Sequence, residues 1–319
     1  MSKLGKVSKT LSDNFDEDLL LQEPMSVWKR TFKRLWSRRS GKIGLLLIGF
    51  IFLIAFAAPV IAPYDPHEVL IGKEIVKLKK REGPCIHMLG CDSAKPQHLM
   101  GIDGNYRDQY SRIIYGSRIS LSIGFSTVTF AVTGGVLLGA LAAFFGGWID
   151  NIIMRLMDVI LGFPSLLLAI AIVAVLGPGI RNALLAIAIV TLPAYARLTR
   201  ASVLTVKELD FVKASITLGA SPTRLLLFRI LPNSLTPVVV LATLGIATAI
   251  LDAAGLSFLG LGAQPPMPEW GTMLGSERNQ VFSAPHLVFF PGIAIMITVL
   301  SFNLFGDGLR DALDPRLND

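Results

Sequence analysis

The chain has 319 residues, of which 52% are hydrophobic and only 17% are charged. An ordinary soluble domain has about a quarter of its residues charged, so this composition indicates a membrane protein. The formal net charge of +7 would suit a nucleic-acid-binding protein, but the basic residues are concentrated before and between apolar segments. That distribution argues against an extended basic face. It predicts contact with membrane lipid and no nucleic-acid partner.

Uncharged stretches predict where the chain crosses the membrane, because a helix needs about 20 mostly apolar residues to span roughly 30 Å of hydrocarbon. Five stretches are long enough: 43–64, 119–149, 159–180, 230–251 and 279–306. A shorter sixth stretch, 182–196, becomes sufficient if Arg197 and Arg200 extend their charged ends to the membrane surface. The predicted fold class is therefore an all-α membrane protein with six transmembrane helices.

A cluster of basic residues before the first span predicts the orientation. No acidic residue lies between Trp28 and Lys42, and such clusters stay in the cytoplasm, where they contact anionic headgroups. With six crossings, both termini are then cytoplasmic. The basic residues are Lys29, Arg30, Lys33, Arg34, Arg38, Arg39 and Lys42. The predicted spans are 43–62, 116–146, 158–177, 182–203, 236–259 and 285–306, and residues 116–306 form the predicted transmembrane core domain. The predicted cytoplasmic segments are the tail 1–42, the loop 204–235 and the tail 307–319. The predicted external loops are 63–115 and 260–284.

The long external loop contains the only two cysteines, Cys85 and Cys91. External compartments are oxidising, so we predict a disulfide that closes a short loop. Two alternatives remain open. The thiols could be free, or the cysteines could join His87 and His98 in a tetrahedral zinc site.

Two features inside the predicted spans have a bearing on packing and transport. Gly135, Gly139 and Ala143 recur every four residues on one helix face, so we expect this face to pack closely within the bundle. Asp252 is an ionisable residue in the fifth span and needs a partner or a water-filled cavity there. We consider an interhelical hydrogen bond and a place on a translocation path.

Several catalytic patterns are absent from the sequence. It has no G-x-x-x-x-G-K-[ST] phosphate loop, so we expect that this chain does not itself hydrolyse ATP in the P-loop manner. It also lacks the H-E-x-x-H and G-x-S-x-G patterns of membrane hydrolases. Only Asp252 lies well within the spans, which is too few ionisable groups for the usual proton relay. We therefore predict neither an enzyme nor a cofactor or metal on this chain.

The stretch DFVKASITLGASPTRLLLFRILPN (210–233) predicts two short helices joined by a sharp turn. Gly219 suits the left-handed position that ends a helix. Ser221 offers a capping oxygen and Pro222 fits the first position of the next helix, which runs to Pro232. Such a pair either docks on a soluble partner or lies on the membrane surface. The apolar stripe of the first helix is Phe211, Val212, Ser215, Ile216 and Leu218.

This stretch resembles the E-A-A loop of bacterial ATP-binding-cassette import permeases. The family pattern is Glu-Ala-Ala, three residues, Gly, then about ten residues to Leu-Pro. The present sequence has Lys213-Ala214-Ser215, Gly219 and Leu231-Pro232, so two of the name-giving positions differ. The segments SRIIYGSRISLSIG (111–124), LSFLGLGAQPPMPEWG (256–271) and FNLFGDGLRDALDPRL (302–317) are similar to the C-type permease subunit of dipeptide, oligopeptide and nickel importers. In that family, the segment that corresponds to GIDGNYRD (101–108) usually reads Gly-Thr-Asp, two residues, then Gly-Arg-Asp. The present sequence departs from this pattern at Ile102 and Tyr106.

The resemblance implies a type I importer permease fold in the bacterial cytoplasmic (inner) membrane. It also implies four partners: a homologous second permease of the B type, two ATPase subunits that hold ATP and Mg²⁺, and an external substrate-binding protein. The expected substrates are di- or oligopeptides, with nickel chelates as an alternative. An alternative of another class is a scaffold or receptor that transports nothing, and a further rival among transporters is an ion-driven carrier. The residues implied in coupling to an ATPase are Asp210, Ala214, Gly219, Ala220, Ser221, Pro222 and Arg224.

Overall fold

The computed structural model describes residues 27–74 and 78–313. The predictions for 1–26 and 314–319 lie outside the described residues. The described residues, 27–74 and 78–313, form helices and loops, without strands longer than isolated bridges. The helices are α1 (Val27–Ser37), α2 (Arg39–Ile61), α3 (Gln109–Phe145), α4 (Gly147–Leu161), α5 (Ser165–Leu176), α6 (Ile180–Lys207), α7 (Asp210–Thr217), α8 (Pro222–Leu225), α9 (Leu231–Ser234), α10 (Thr236–Phe258), α11 (Trp270–Glu277) and α12 (His286–Leu313).

Within the described ranges, five helices are long and apolar enough to cross a membrane: α2, α3, α6, α10 and α12. A sixth crossing requires α4 and α5 together, and these are bent by 93°. The bend follows from Pro164, whose ring fixes its own φ and disfavours a helical conformation at Phe163. The predicted span 158–177 therefore corresponds to the end of α4, a bend and α5, and not to one straight helix.

Small residues set the contact between α3 and α6. A Cβ atom at Gly135 would lie 2.5 Å from Cβ of Tyr195, and one at Gly139 would lie 2.3 Å from the carbonyl oxygen of Ala196. The two backbones therefore touch along the face that the sequence indicated. Near the end of this contact, Arg197 and Arg200 of α6 pair with Asp158 and Asp150 of α4, respectively. These ion pairs hold α4 against α6.

A second close contact joins the first long helix to the last. A Cβ atom at Gly44 of α2 would lie 2.4 Å from the backbone nitrogen of Phe305 in α12, and one at Gly308 would lie 2.3 Å from Cα of Gly41. Leu35 of α1 is buried beside the same glycines. The chain segments before and after the central helices are thus packed together, and they close the bundle.

Candidate functional site

The helical elbow of residues 210–234 lies at the end of the bundle where α3 finishes. Its first helix, α7, ends in a Schellman motif: the N–H of Gly219 donates to the carbonyl of Ile216 (2.9 Å), and the N–H of Ala220 donates to that of Ser215 (3.1 Å). Gly219 has φ +80°, a conformation that side chains with a Cβ rarely adopt. The left-handed stop expected at Gly219 is present in the structure.

The second helix of the elbow begins at once, but without the cap that we expected. Ser221 has extended backbone angles (φ −67°, ψ 144°) and its carbonyl accepts from the N–H of Leu225 at 2.9 Å. Its side chain makes no capping hydrogen bond. This turn is exposed to water, so the free N–H groups of the first helical turn can be hydrated without the side chain. Ser221 therefore starts the helix through its backbone, and the expectation of a capping hydroxyl was wrong.

Val212 anchors the elbow to the bundle. Its side chain is 0% exposed, and burying a valine in this way stabilises the contact by about 2 kcal/mol. The surrounding cluster contains residues from α3, α6 and the second half of the elbow, so Val212 ties α7 to both long helices. The other buried members are Ala140, Ala143, Val203, Val206, Leu225, Leu226 and Ile230.

The other apolar side chains of the predicted stripe are exposed, and Ser215 is half-buried. Phe211 and Ile216 face outward, Leu218 is 88% exposed, and Phe228 on the second half is 72% exposed. Leu218 and Phe228 border a cleft of about 620 Å³. A cleft with exposed apolar side chains and two arginines suits a partner surface that is apolar with an acidic rim. The cleft residues are Ser215, Leu218, Gly219, Ala220, Arg224, Leu225, Phe228 and Arg229.

The polar residues that we expected to contact an ATPase are exposed on the elbow. Asp210 and Arg224 form no ion pair with the described side chains of residues 32–74 and 78–313, and Ala214 is also exposed. Lys213 stands where the resembling family has its first acid, and it pairs with Glu208 at 3.5 Å on the surface. Such exposed pairs contribute little stability. The elbow is therefore held by its apolar anchor and its backbone turn, with its charges facing outward.

A π-helical segment, Leu226–Ile230, joins α8 to α9 and was not expected from the sequence. It is closed by the N–H of Leu231 donating to the carbonyl of Leu226. A proline in an α-helix clashes with the carbonyl four residues earlier, and a wider turn relieves that clash. Pro232 directly after Leu231 is the signal that could have indicated this segment.

The opposite end of α3 carries a second structured region, the polar cap, formed by loop 63–108 with Arg112, Glu269 and Glu277. Arg112 is buried and donates to the carbonyls of Pro66 (2.8 Å) and Pro266 (3.2 Å), and it pairs with Asp103 at 3.5 Å. Glu277 accepts from Arg81 at 2.8 Å and from the N–H of Gly104 at 3.0 Å. These bonds fasten the loop to α3 and α11.

The structure of the GIDGNYRD segment (101–108) shows how its turn is formed despite the departures from the family pattern at Ile102 and Tyr106. Asp103 accepts from the N–H groups of Asn105 (2.7 Å) and Arg107 (2.9 Å) and from the Arg107 side chain (2.8 Å). Tyr106 has φ +60°, at the position where the family usually has glycine. Ile102 is buried. The turn therefore keeps its acid and its arginine, and accepts a strained tyrosine in place of glycine.

His98 connects two carboxylates within the polar cap. Its ring nitrogens lie 2.8 Å from Asp108 and 3.2 Å from Glu74, and its ring stacks on Tyr64 with centroids 5.5 Å apart. Burial alone would lower the pKa of His98, but the hydrogen bond to Asp108 and the charges of Asp108 and Glu74 outweigh it and raise the pKa. Asp108 also caps α3 by accepting from the N–H of Ser111.

Cys85 and Cys91 are joined in a disulfide, with Cα atoms 5.4 Å apart. The zinc alternative does not fit this arrangement, because His98 is committed to Asp108 and Glu74 and both sulfurs are bonded to each other. No cluster of three or more potential metal ligands occurs in the part of the chain that the structure describes. The loop between the cysteines presents Met88 and Leu89 to solvent.

Asp252 lies half-buried in α10. Among the described residues its carboxylate has no hydrogen-bonding or ionic partner, so the interhelical hydrogen bond that we considered is not formed with any of them. The remaining interpretation is that Asp252 meets water or another molecule.

These features define a class: a multi-pass helical membrane protein with a projecting elbow suited to a soluble partner. Residues 135–319 match the family model described as "Binding-protein-dependent transport system inner membrane component", and residues 26–78 match the "N-terminal TM domain of oligopeptide transport permease C". The chain belongs to this family of inner-membrane transport components. It is a permease subunit of an ATP-binding-cassette importer, as predicted, and such a permease is not itself an enzyme.

Curated relatives cover nearly the whole chain. The dipeptide transport system permease protein DppC of Alkalihalophilus pseudofirmus is 46% identical over 92% of this chain and 91% of its own. The di/tripeptide permease DppC of Pseudomonas aeruginosa is 47% identical over 93% and 96%. The glutathione transport system permease GsiD of Pectobacterium atrosepticum is 43% identical over 91% and 90%.

Solved structures support the same fold. A chain of the MetNI methionine transporter in an inward-facing conformation aligns with a TM-score of 0.53 at 18% identity, over 64% of this chain and 97% of that one. At this identity the likeness bears on the fold alone. The predicted fold class, an all-α membrane protein with the type I importer permease fold, is confirmed.

Proposed function

We propose that this chain forms half of the pathway through which an ATP-driven importer moves di- or oligopeptides into the cell. The observation that carries the substrate class is the set of relatives at 43 to 47% identity, which are named for dipeptides, di/tripeptides and glutathione. The proposed partners are a homologous second permease, two ATPase subunits carrying ATP and Mg²⁺, and an external substrate-binding protein.

The elbow is the proposed contact with one ATPase subunit. Its exposed face combines the apolar side chains of Leu218 and Phe228 with the free ends of Asp210 and Arg224. The turn at 219–222 is fixed by backbone hydrogen bonds, and Val212 links it to α3 and α6. A stiff element that is anchored on one side and exposed on the other can transmit motion of the ATPase to the spans. Ala214, Gly219, Ala220, Ser221 and Pro222 form the proposed contact surface with these residues.

The proposed orientation places the elbow and both termini in the cytoplasm and the polar cap outside. The basic residues before α2 favour a cytoplasmic side. The disulfide between Cys85 and Cys91 favours an oxidising exterior for the cap. The two ends of α3 then lie on opposite sides of the membrane, as a coupling elbow and an external loop require.

Asp252 is the proposed polar residue of the translocation path. A half-buried carboxylate without a partner in the described chain is costly within a membrane unless water or substrate reaches it. We expect Asp252→Asn to reduce peptide uptake at unchanged assembly, because a path-lining carboxylate contacts hydrated substrate. Equal uptake by the variant and the original protein would remove Asp252 from the path.

Reconstitution tests the proposed function. The chain is assembled in proteoliposomes with its second permease and ATPases, and uptake of a radiolabelled dipeptide is measured with the substrate-binding protein present. We expect peptide uptake that requires ATP and a substrate-stimulated ATPase. Uptake of a nickel chelate but not of peptide would reassign the substrate. Uptake driven by an ion gradient without ATP, or assembly without any transport, would contradict the function itself.

A further inference from the structure

The segment SRIIYGSRISLSIG (111–124) contains two arginines with different surroundings. Arg112 is buried and fully engaged in the polar cap. Arg118, later on the same helix, is exposed. Among the side chains that the structure describes, in residues 32–74 and 78–313, no carboxylate or other acceptor lies within bonding distance of its guanidinium group. A cation at the edge of the hydrocarbon is costly without a counter-ion, and the described chain does not supply one to Arg118.

Arg118 lies in a groove between α2 and α3 that is otherwise almost entirely apolar. The groove has a volume of about 220 Å³. The rings of Phe52 and Phe125 lie 5.6 Å apart, and Phe56 is 77% exposed. Such aromatic side chains provide an extended apolar surface at one side of a single charged group. The lining residues are Phe52, Ala55, Phe56, Arg118, Leu121, Ser122 and Phe125.

The charge pattern of α3 places Arg118 near the level of the lipid phosphates. It is the last charged residue before the uncharged stretch 119–149, so it lies where the helix enters the hydrocarbon, on the side of the polar cap. Phe52 and Phe56 belong to the half of α2 that ends at Ile61 on the same side. The groove therefore extends from the headgroup level towards the acyl chains.

We propose that this groove binds a phospholipid, with the phosphodiester on Arg118 and one acyl chain along Phe52, Phe56 and Phe125. Guanidinium groups bind phosphate through paired, charge-assisted hydrogen bonds, so the charges are complementary. An anionic lipid such as phosphatidylglycerol fits better than phosphatidylcholine, because the choline cation of phosphatidylcholine competes with Arg118 for the phosphate group. The site concerns lipid and does not depend on which substrate is transported.

A photoreactive phosphatidylglycerol with a diazirine in one acyl chain tests this site. The full chain is assembled with its partner subunits in phosphatidylcholine vesicles that contain the probe, and labelled peptides are identified by mass spectrometry. We expect labelling of the groove faces of α2 and α3. Replacing Arg118 by glutamine is expected to lower that labelling about fivefold, the value of one basic side chain near an anionic surface.

The matched control is Arg181→Gln, which removes the same charge from an exposed residue in the first turn of α6 and should leave groove labelling unchanged. Ser122→Leu provides a second variant, because it fills the groove from an exposed position and should lower labelling with Arg118 intact. Equal labelling of the Arg118→Gln and Arg181→Gln proteins would overturn the proposal. Replacement of Phe56 by benzoylphenylalanine would also overturn it if the crosslink formed with the second permease or with substrate in place of lipid.

Discussion

The two ends of α3 differ in how their polar and apolar groups are satisfied. At its first turn, the polar cap buries charges and pairs them within the chain, as Arg112 and Asp103 show. At its last turn, the elbow leaves Leu218, Phe228 and Arg224 exposed. A buried charge must be paired where it lies, whereas an exposed apolar surface can be covered later by another protein. The buried charges of the cap named above are thus paired within the described chain, while the elbow has the form of a surface that a partner completes.

The largest effect should follow from breaking the cap at Arg112. The Arg112→Ala variant leaves the carboxylate of Asp103 and the carbonyls of Pro66 and Pro266 with fewer partners in a buried region. Removing one member of a buried ionic network typically costs about 3 to 5 kcal/mol. We expect a large fall in the thermal unfolding temperature of the purified chain and in its yield from membranes.

Arg224→Ala is the matched control for that experiment at the elbow. It removes the same side chain from an exposed position without an ion pair in the described chain, so stability should change by less than about 0.5 kcal/mol. We expect this variant to weaken association with an ATPase subunit instead. If Arg224→Ala destabilised the isolated chain as much as Arg112→Ala, the contrast between the two ends would be lost.

The next largest effect should come from the turn of the elbow. Gly219→Val forces a β-branched residue to φ +80°, at a cost of about 1 to 3 kcal/mol. The turn will then open or shift, so we expect ATPase stimulation and uptake to fall while membrane insertion persists. Gly219→Asn is the control, because asparagine adopts the left-handed conformation more readily and should retain most of the coupling. Normal coupling in the valine variant would argue against a rigid elbow.

The elbow could be predicted from the sequence because its signals are local. Gly219 and Pro222 determine the turn through their own φ angles, and no distant contact is needed. Which side chains of the stripe are buried could not be predicted in the same way. Val212 and Leu218 are both apolar, but only Val212 faces α3 and α6. That distinction depends on tertiary packing.

The polar cap could be predicted only in part. The acid and arginine of GIDGNYRD indicated a structured turn, but the partners of the cap are distant in sequence, such as Arg81 and Glu277. Single-sequence patterns do not connect such positions. The contact of Gly44 with α12 was missed for the same reason, since its partner lies at the other end of the chain. The break at Pro164 did have a local signal, but hydropathy alone extends the span through it.

A smaller effect is expected from the disulfide at the edge of the cap. Replacing Cys85 and Cys91 by serine should loosen the short loop by about 2 kcal/mol in the chain-entropy model. We expect faster hydrogen exchange in residues 78–98, with little change around Arg112. Mass spectrometry after alkylation gives the direct check: the native chain should take up no label before reduction. Labelling of both thiols without a reductant would contradict the disulfide.

The smallest effect is the pH dependence contributed by His98. Its pKa is raised in the folded chain because Asp108 and Glu74 favour the protonated ring more strongly than burial disfavours it. The stabilisation is therefore complete below the unfolded pKa of about 6.5 and is lost as the pH rises through the folded pKa. Tyr64, which stacks on the ring, has its pKa raised to about 12 by burial and by Glu74, so it stays neutral throughout.

Thermal unfolding measured from pH 6 upward should therefore show stability declining with pH, by about 1.4 kcal/mol for each unit by which the pKa is raised. His98→Gln should remove the part of this slope that His98 contributes, since glutamine does not titrate. His87→Gln is the control, because His87 is exposed and bonded only to the carbonyl of Lys95 among the described residues, so the slope should remain. If the whole slope survived in His98→Gln, the charge would lie elsewhere and the cap would not depend on an ionised histidine. If the stability depends on pH through His98 while elbow-dependent ATPase coupling is unchanged over the same pH range, the two ends of α3 are stabilised independently.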